Sequence, residues 1–168
     1  MTISMYQASA PRFVAMLNNL TVILDKAQTH ADAKKIEHTV FTQDRLFPDM
    51  FTFARQVQIA SDSAKGAMAR LAGVEIPKFE DTEKTFDELK ARVAKTVAFI
   101  QTIKPAQIDG TEDKDIVLKI GGTEMQFKGM PFLLAFAYPN FYFHLTTAYA
   151  ILRHRGVDVG KMDFLGKV

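Results

Sequence analysis

The sequence contains no cysteine, and this absence excludes several kinds of chemistry at once. Without a thiol, the chain cannot form a disulfide, hold a metal through thiolates or use a cysteine nucleophile. It also lacks the GxSxG elbow, the phosphate-binding loop, the GxGxxG turn and the HExxH metal motif. Together with an N-terminus that has no signal-peptide pattern, the missing cysteine leads us to expect a cytoplasmic location.

Neither sign of charge is in large excess. The chain has 21 basic and 19 acidic residues, the two signs are interspersed, and the net charge is +2. Nucleic-acid binding usually requires a clustered basic surface, so we expect no nucleic-acid partner. The length of 168 residues and the 48% share of hydrophobic residues predict one domain, spanning 1–168, with a buried core.

A local absence concerns residues 129–152, which contain no Asp, Glu, Lys or Arg. A segment of this length could cross a bilayer. Two prolines, two threonines, Asn140 and His144 interrupt it, however, and polar groups near the centre of a membrane helix are costly. We therefore interpret the segment as the most buried helix of a soluble bundle and expect no membrane partner.

Apolar residues at helical spacing predict four long helices. The predicted helices cover about 4–30, 48–73, 84–104 and 131–155. Pro48 and Asp49 suit the first turn of the second helix, and Gly73 suits its end. Pro11 either follows a Ser9 cap in the first turn of the first helix or kinks a longer helix.

Thr85 and Glu88 could form a capping box at the start of the third helix. Residues 115–128 change to an alternating pattern interrupted by two glycines, which predicts a β-hairpin. Pro139 should kink the fourth helix or mark its start. These elements predict an all-α, up-and-down four-helix bundle with a small β-hairpin before the last helix.

His144 is the one histidine that the pattern predicts to be buried. Asn140 precedes it by one helical turn, so the two side chains share a face. On the second helix, Arg55, Gln58 and Asp62 also share a face. That face is either a solvated stripe, with Asp62 paired to Lys65, or an inward-facing set in which Arg55 and Asp62 pair near Asn140 and His144.

These residues resemble a known pattern. The segment Asn140 to Gly156 is similar to the last helix of the DinB/YfiT-like superfamily, in which H-x-x-x-H-R-G-Q precedes L-R-x-x-G. Arg153 and Gly156 match the final arginine and glycine. Five phrases resemble one bacterial branch of unknown function: MYQASAPRF, PDMFTFARQVQIASDSAKG, EDTEKTFDEL, PNFYFHLTTAYAILRHRGV and GKMDFLG. The resemblance implies a DinB-like bundle over nearly the whole chain.

Members of the superfamily with an intact motif bind a divalent metal through three histidines. The resemblance places His144 on one ligand, Asn140 on a second and Gln58 on the third, which is a degenerate histidine triad. Amide oxygens bind zinc or nickel less well than imidazole, so any metal held by Gln58, Asn140 and His144 should be weakly bound.

Three functions are compatible with this pattern. The first is binding of a small polar ligand or weak ion in a pocket formed by Arg55, Gln58, Asp62, Asn140 and His144. The second is a metal-dependent transferase or hydrolase in which His144 is the candidate catalytic residue. The third is a non-catalytic homodimer, since superfamily members often pair through bundle faces.

Overall fold

Helices dominate the computed structural model, which describes residues 2–166. Met1, Lys167 and Val168, which belong to the predicted domain, lie outside the described residues. The elements follow in chain order: α1 (Met5–Ala33), α2 (His38–Thr42), α3 (Phe53–Ala72), α4 (Phe86–Thr102), α5 (Pro105–Ile108), β1 (Asp115–Ile120), β2 (Thr123–Lys128), α6 (Gly129–Pro131), a π-helical segment (Phe132–Ala137), α7 (Tyr138–His154) and α8 (Lys161–Leu165).

The four long helices α1, α3, α4 and α7 enclose the core, which confirms the predicted bundle. α3 packs against both α4 and α7, and α1 packs mainly against α4. Large apolar side chains that are fully buried fill the space between them, including Phe13, Leu17, Phe53, Leu71 and Phe141. No helix among residues 2–166 is long and apolar enough to cross a membrane.

The first helix is longer than predicted and continues through its proline. Ser4 caps it in a reciprocal capping box with Gln7, so Ser9 is not the cap. Ser9 instead lies inside α1, where its hydroxyl donates to the carbonyl of Met5 at 2.6 Å. Pro11 is also inside the helix, where the following turns hold the chain in helical geometry despite the missing N–H.

The prediction that the second helix begins at Pro48 is wrong. α3 begins at Phe53, and Thr52 is its N-cap, with its hydroxyl accepting from the backbone N–H of Arg55 at 3.4 Å. A threonine cap satisfies a backbone donor that a proline start would leave exposed, and this decides the boundary. Gly73 ends the helix in the left-handed conformation at φ 72°, as predicted.

Two local predictions between α3 and α7 are confirmed. Thr85 and Glu88 form the capping box of α4. The strands β1 and β2 pair antiparallel, and Gly121 and Gly122 join them with φ values of 56° and 83°. Two consecutive positive φ angles define the tight turn that fits the twist of a hairpin, and glycine adopts them without strain.

The fourth predicted helix is irregular in its first turns, up to Ala137. It runs as a short turn, then as a π-helical segment over Phe132–Ala137, and becomes regular only at Tyr138. In the π-helical segment the N–H of Tyr138 donates to the carbonyl of Leu133, five residues earlier. Pro139 follows directly, so the chain passes the proline by widening a turn, and π-bulges of this kind are frequent at functional sites.

Candidate functional site

The buried histidine meets a glutamine that the sequence analysis did not select. His144 is 8% exposed, and its Nδ1 lies 2.6 Å from Oε1 of Gln56 on α3. The Gln56 side chain is itself buried, and its Nε2 donates to the carbonyl of Phe51 at 3.2 Å. This second hydrogen bond fixes the orientation of the amide, so Gln56 presents an acceptor to the imidazole.

The orientation of Gln56 determines the tautomer of His144. Because a carbonyl oxygen can only accept, Nδ1 must carry the proton, and Nε2 of the neutral ring then has a lone pair. Burial, together with the positive charge of Arg55, lowers the pKa of His144. Nε2 has no hydrogen-bond partner among residues 2–166 and is not sealed from solvent, so it can accept a hydrogen bond from outside.

Asn140 faces a different partner, one turn away from the histidine. Its Nδ2 donates to the hydroxyl oxygen of Ser63 on α3 at 3.2 Å. Asn140 and Ser63 both line a cleft with a volume of about 230 Å³, which we call the hairpin cleft. The polar pair therefore lies in a cavity that can hold a small molecule.

The hairpin cleft has three walls. One wall is the face of α3 that carries Ile59, Asp62, Ser63 and Arg70, which are spaced over three successive helical turns. The opposite wall is aromatic and comes from the π-helical segment and the start of α7.

The aromatic wall consists mainly of Phe132 and Phe136, whose nearly parallel rings lie with centroids 6.0 Å apart. Leu118 and Lys119 of β1 complete the cleft on its third side. The cleft thus combines an apolar surface with polar groups from α3 and α7, as small-molecule sites usually do.

A second polar group of residues lies between α3 and α4. Arg92 of α4 is buried, with 1% of its side chain exposed, and its guanidinium is 2.9–3.0 Å from Asp62, Asp81 and Glu83. Asp62 also pairs with Lys65 at 2.9 Å, as the sequence analysis proposed for the solvated alternative. We call Arg92 and its three carboxylates the Arg92 cluster.

Arg55 and Gln58 join this cluster rather than the imidazole. Arg55 pairs with Asp81, so the predicted pairing of Arg55 with Asp62 does not form. Nε2 of Gln58 donates to Glu83 at 2.9 Å, and its Oε1 accepts from Arg55 at 3.2 Å. Asp81 and Glu83 belong to the connection between α3 and α4. No helical or strand periodicity in the sequence predicts the contacts of these two carboxylates.

The five predicted pocket residues therefore fall into separate surroundings. Asn140 and Asp62 line the hairpin cleft, His144 contacts Gln56, and Arg55 and Gln58 contact the Arg92 cluster. Sequence reasoning missed Gln56, although it is only two positions from Gln58. Two positions correspond to about 200° around a helix, so these two glutamines point to nearly opposite sides of α3.

The predicted metal ligands do not form a set that suits a transition metal. Gln58, Asn140 and His144 each hydrogen-bond a different protein group, and two of them offer only amide donors and acceptors. Among residues 2–166, no three His, Cys, Asp or Glu side chains cluster in a way that could hold a metal ion. Two amides and one imidazole with separate partners therefore do not suit tight binding of a transition metal.

Comparison with known proteins agrees with this architecture. The family model described as "Domain of unknown function (DUF1993)" matches residues 5–165. The crystal structure of a DinB family member protein from Shewanella denitrificans is similar, with a TM-score of 0.87 and 40% sequence identity. The match covers 97% of this chain and 92% of that chain. No curated protein matches the chain. This chain therefore belongs to the DUF1993 family and has the DinB-like helical-bundle fold.

Proposed function

We propose that the protein binds a small molecule, with an apolar body and at least one polar group, in the hairpin cleft. The observation that supports this proposal is the composition of the cleft. Asn140 and Ser63 place an amide and a hydroxyl beside the aromatic wall of Phe132 and Phe136. Its volume of about 230 Å³ is below the usual range for drug-sized ligands, so the ligand is a small metabolite-like compound.

The π-helical segment adds to the argument because it supplies part of the lining. A π-helical turn is less stable than an α-helical turn and is rare, yet such turns recur at functional sites. Here the segment carries Phe132 and Phe136 and leads directly into the turn that carries Asn140. The irregular backbone and the polar pair thus occur at the same cleft.

Benzamide is a suitable first probe, because it is small, neutral and partly apolar. We expect saturable shifts in the backbone amide NMR signals of residues 59–70 and 132–140 on titration. A Ser63→Leu variant fills the cleft and removes the hydroxyl, so it should abolish these shifts. Thr146→Leu, on the exposed side of α7, is the matched control. Unsaturable shifts, or saturable shifts that persist in Ser63→Leu, would contradict the proposal.

One observation supports general-base chemistry at His144, with any metal ion only weakly bound there, as a second candidate function. Nε2 of His144 carries a lone pair in the neutral ring and is not sealed from solvent. Metal analysis of untagged protein, with melting curves in added zinc or nickel, tests this candidate. Stabilisation that disappears in His144→Gln would support it, whereas substoichiometric metal and unchanged melting would exclude a metal at this position.

We also propose that two copies of the chain form a homodimer. Several large apolar side chains are more than half exposed, among them Phe47, Phe51 and Phe143. A contiguous apolar surface would favour association between copies. Sedimentation velocity over a range of concentrations measures the mass in solution, and a monomer throughout would argue against the dimer.

A further inference from the structure

We infer that the ligand of the hairpin cleft carries a carboxylate and that Arg70 of α3 binds it. This inference depends on the proposed function, because it names the chemical class of the same ligand. Three observations support it: the surroundings of the Arg70 guanidinium, the space that Gly66 leaves for this group, and the charges of the residues that line the cleft.

Arg70 is half-buried in the wall of the cleft without an acidic partner. None of the ion pairs or side-chain hydrogen bonds among residues 2–166 includes its guanidinium. Burial lowers the pKa of Arg70, and no neighbouring charge opposes that effect. An arginine remains protonated in proteins, so the cleft contains a partly desolvated positive charge that its own side chains do not neutralise.

The guanidinium lies over Gly66, in space that a side chain at this position would fill. A Cβ atom at position 66 would lie about 2.5 Å from Nη1 of Arg70. The arginine side chain therefore folds back toward the start of α3, over the glycine, and does not extend toward the carbonyl groups at the end of the helix. A cation in the last turn could otherwise be explained by the helix dipole alone.

The remaining charges favour one negative charge on the ligand. Asp62 lines the same cleft, but Arg92 and Lys65 each contact it at 2.9 Å. Lys119, at the rim, is largely exposed and has the carboxylate of Glu124 at 4.0 Å, so it adds little to the charge of the cleft. A monoanion matches the single unpaired charge of Arg70, whereas a dianion would leave one negative charge without a partner. This favours a carboxylate over a phosphate monoester.

The test compares benzoate with benzamide, which have nearly the same shape and differ in charge. In physiological salt, calorimetry or NMR titration should give benzoate an affinity at least about tenfold higher, because hydrogen bonds to charged groups are the stronger ones. Arg70→Gln should reduce this ratio to about one while benzamide still binds. Arg12→Gln, an exposed arginine of α1, is the matched control and should leave the ratio unchanged.

A Gly66→Ala variant tests the geometry separately from the charge. The new methyl group displaces the guanidinium, so the preference for benzoate should fall several-fold although Arg70 is retained. Alanine is also the better helix former, so the melting temperature should stay the same or rise. If the preference for benzoate falls while the melting temperature does not, the effect comes from the position of the guanidinium and not from unfolding.

The outcomes distinguish the two proposals. If neither benzoate nor benzamide binds, the proposed function fails and this inference fails with it. If both bind equally, the cleft remains a binding site but the carboxylate assignment is overturned. If inorganic phosphate displaces benzoate more effectively than acetate does, the recognised group is a phosphate and the assignment is also overturned.

Discussion

Replacing Arg92 by methionine tests how much the Arg92 cluster contributes to the free energy of unfolding. The guanidinium is almost fully buried and makes three ionic contacts at 2.9–3.0 Å. Each hydrogen bond to a charged group contributes roughly 1.5–3 kcal/mol when it is well shielded. Asp62 and Asp81 are 40% and 38% exposed, however, so solvent screening reduces their share.

The carboxylates also keep other partners after the substitution. Asp62 retains Lys65, Asp81 retains Arg55, and Glu83 retains the amide of Gln58. Methionine fills much of the space and brings no new polar group. We therefore expect a loss of about 2 kcal/mol, well below the value for leaving a buried charge unpaired. For a domain of this size the melting temperature should fall by about 4–8 °C.

Urea unfolding followed by circular dichroism at neutral pH measures this loss directly. The control is Arg153→Met, which removes an exposed arginine whose nearest carboxylate, on Asp158, is 4.0 Å away and fully exposed. That substitution should change the free energy of unfolding by less than about 0.5 kcal/mol. If Arg92→Met is as stable as the unmodified protein, the cluster does not hold the α3–α4 connection and the reasoning is wrong.

Two further predictions concern titration and packing. Burial, with the charge of Arg55, lowers the pKa of His144, so the unfolded chain takes up a proton below about pH 6.5 while the folded chain does not. Stability should therefore be lost as the pH falls through this range, by at most about 1.4 kcal/mol per pH unit, and His144→Gln should lack that component in urea unfolding at several pH values. Gly129→Ala should cost more than about 3 kcal/mol, because a Cβ there would overlap the carbonyl oxygen of Thr111. The control Gly160→Ala, whose new Cβ would have no neighbour nearer than 4.0 Å, should be close to neutral in thermal melting.

Much of the fold could be predicted because its signals are local. The apolar stripes located the four long helices, and the capping box at Thr85 and the two glycines of the hairpin were read correctly. The start of α3 was missed because Pro48 and Thr52 are both acceptable at a helix start. The structure decides between them through the hydroxyl of Thr52, which accepts from the backbone N–H of Arg55.

The site could be predicted only in part, since its contacts join distant segments. The predicted burial of His144 is confirmed, and Asn140 precedes it by one turn of the same helix. Gln56 could not be selected, because the spacing that places Gln58 on one face with Arg55 and Asp62 does not show which face of α3 packs against α7. Arg70 escaped notice because a lone arginine near a helix end has an ordinary explanation in the helix dipole.

The widened π-helical turn before Tyr138 also sets how far the aromatic wall is rotated about the helix axis relative to α7. One additional residue in a turn rotates everything on one side of it by about 100° relative to the other side. Shortening the chain by one residue between Leu133 and Phe136 should thus leave a continuous α-helix while swinging Phe132 away from the α3 wall. Insertions and deletions at this point would change the shape of the hairpin cleft without altering the surrounding bundle.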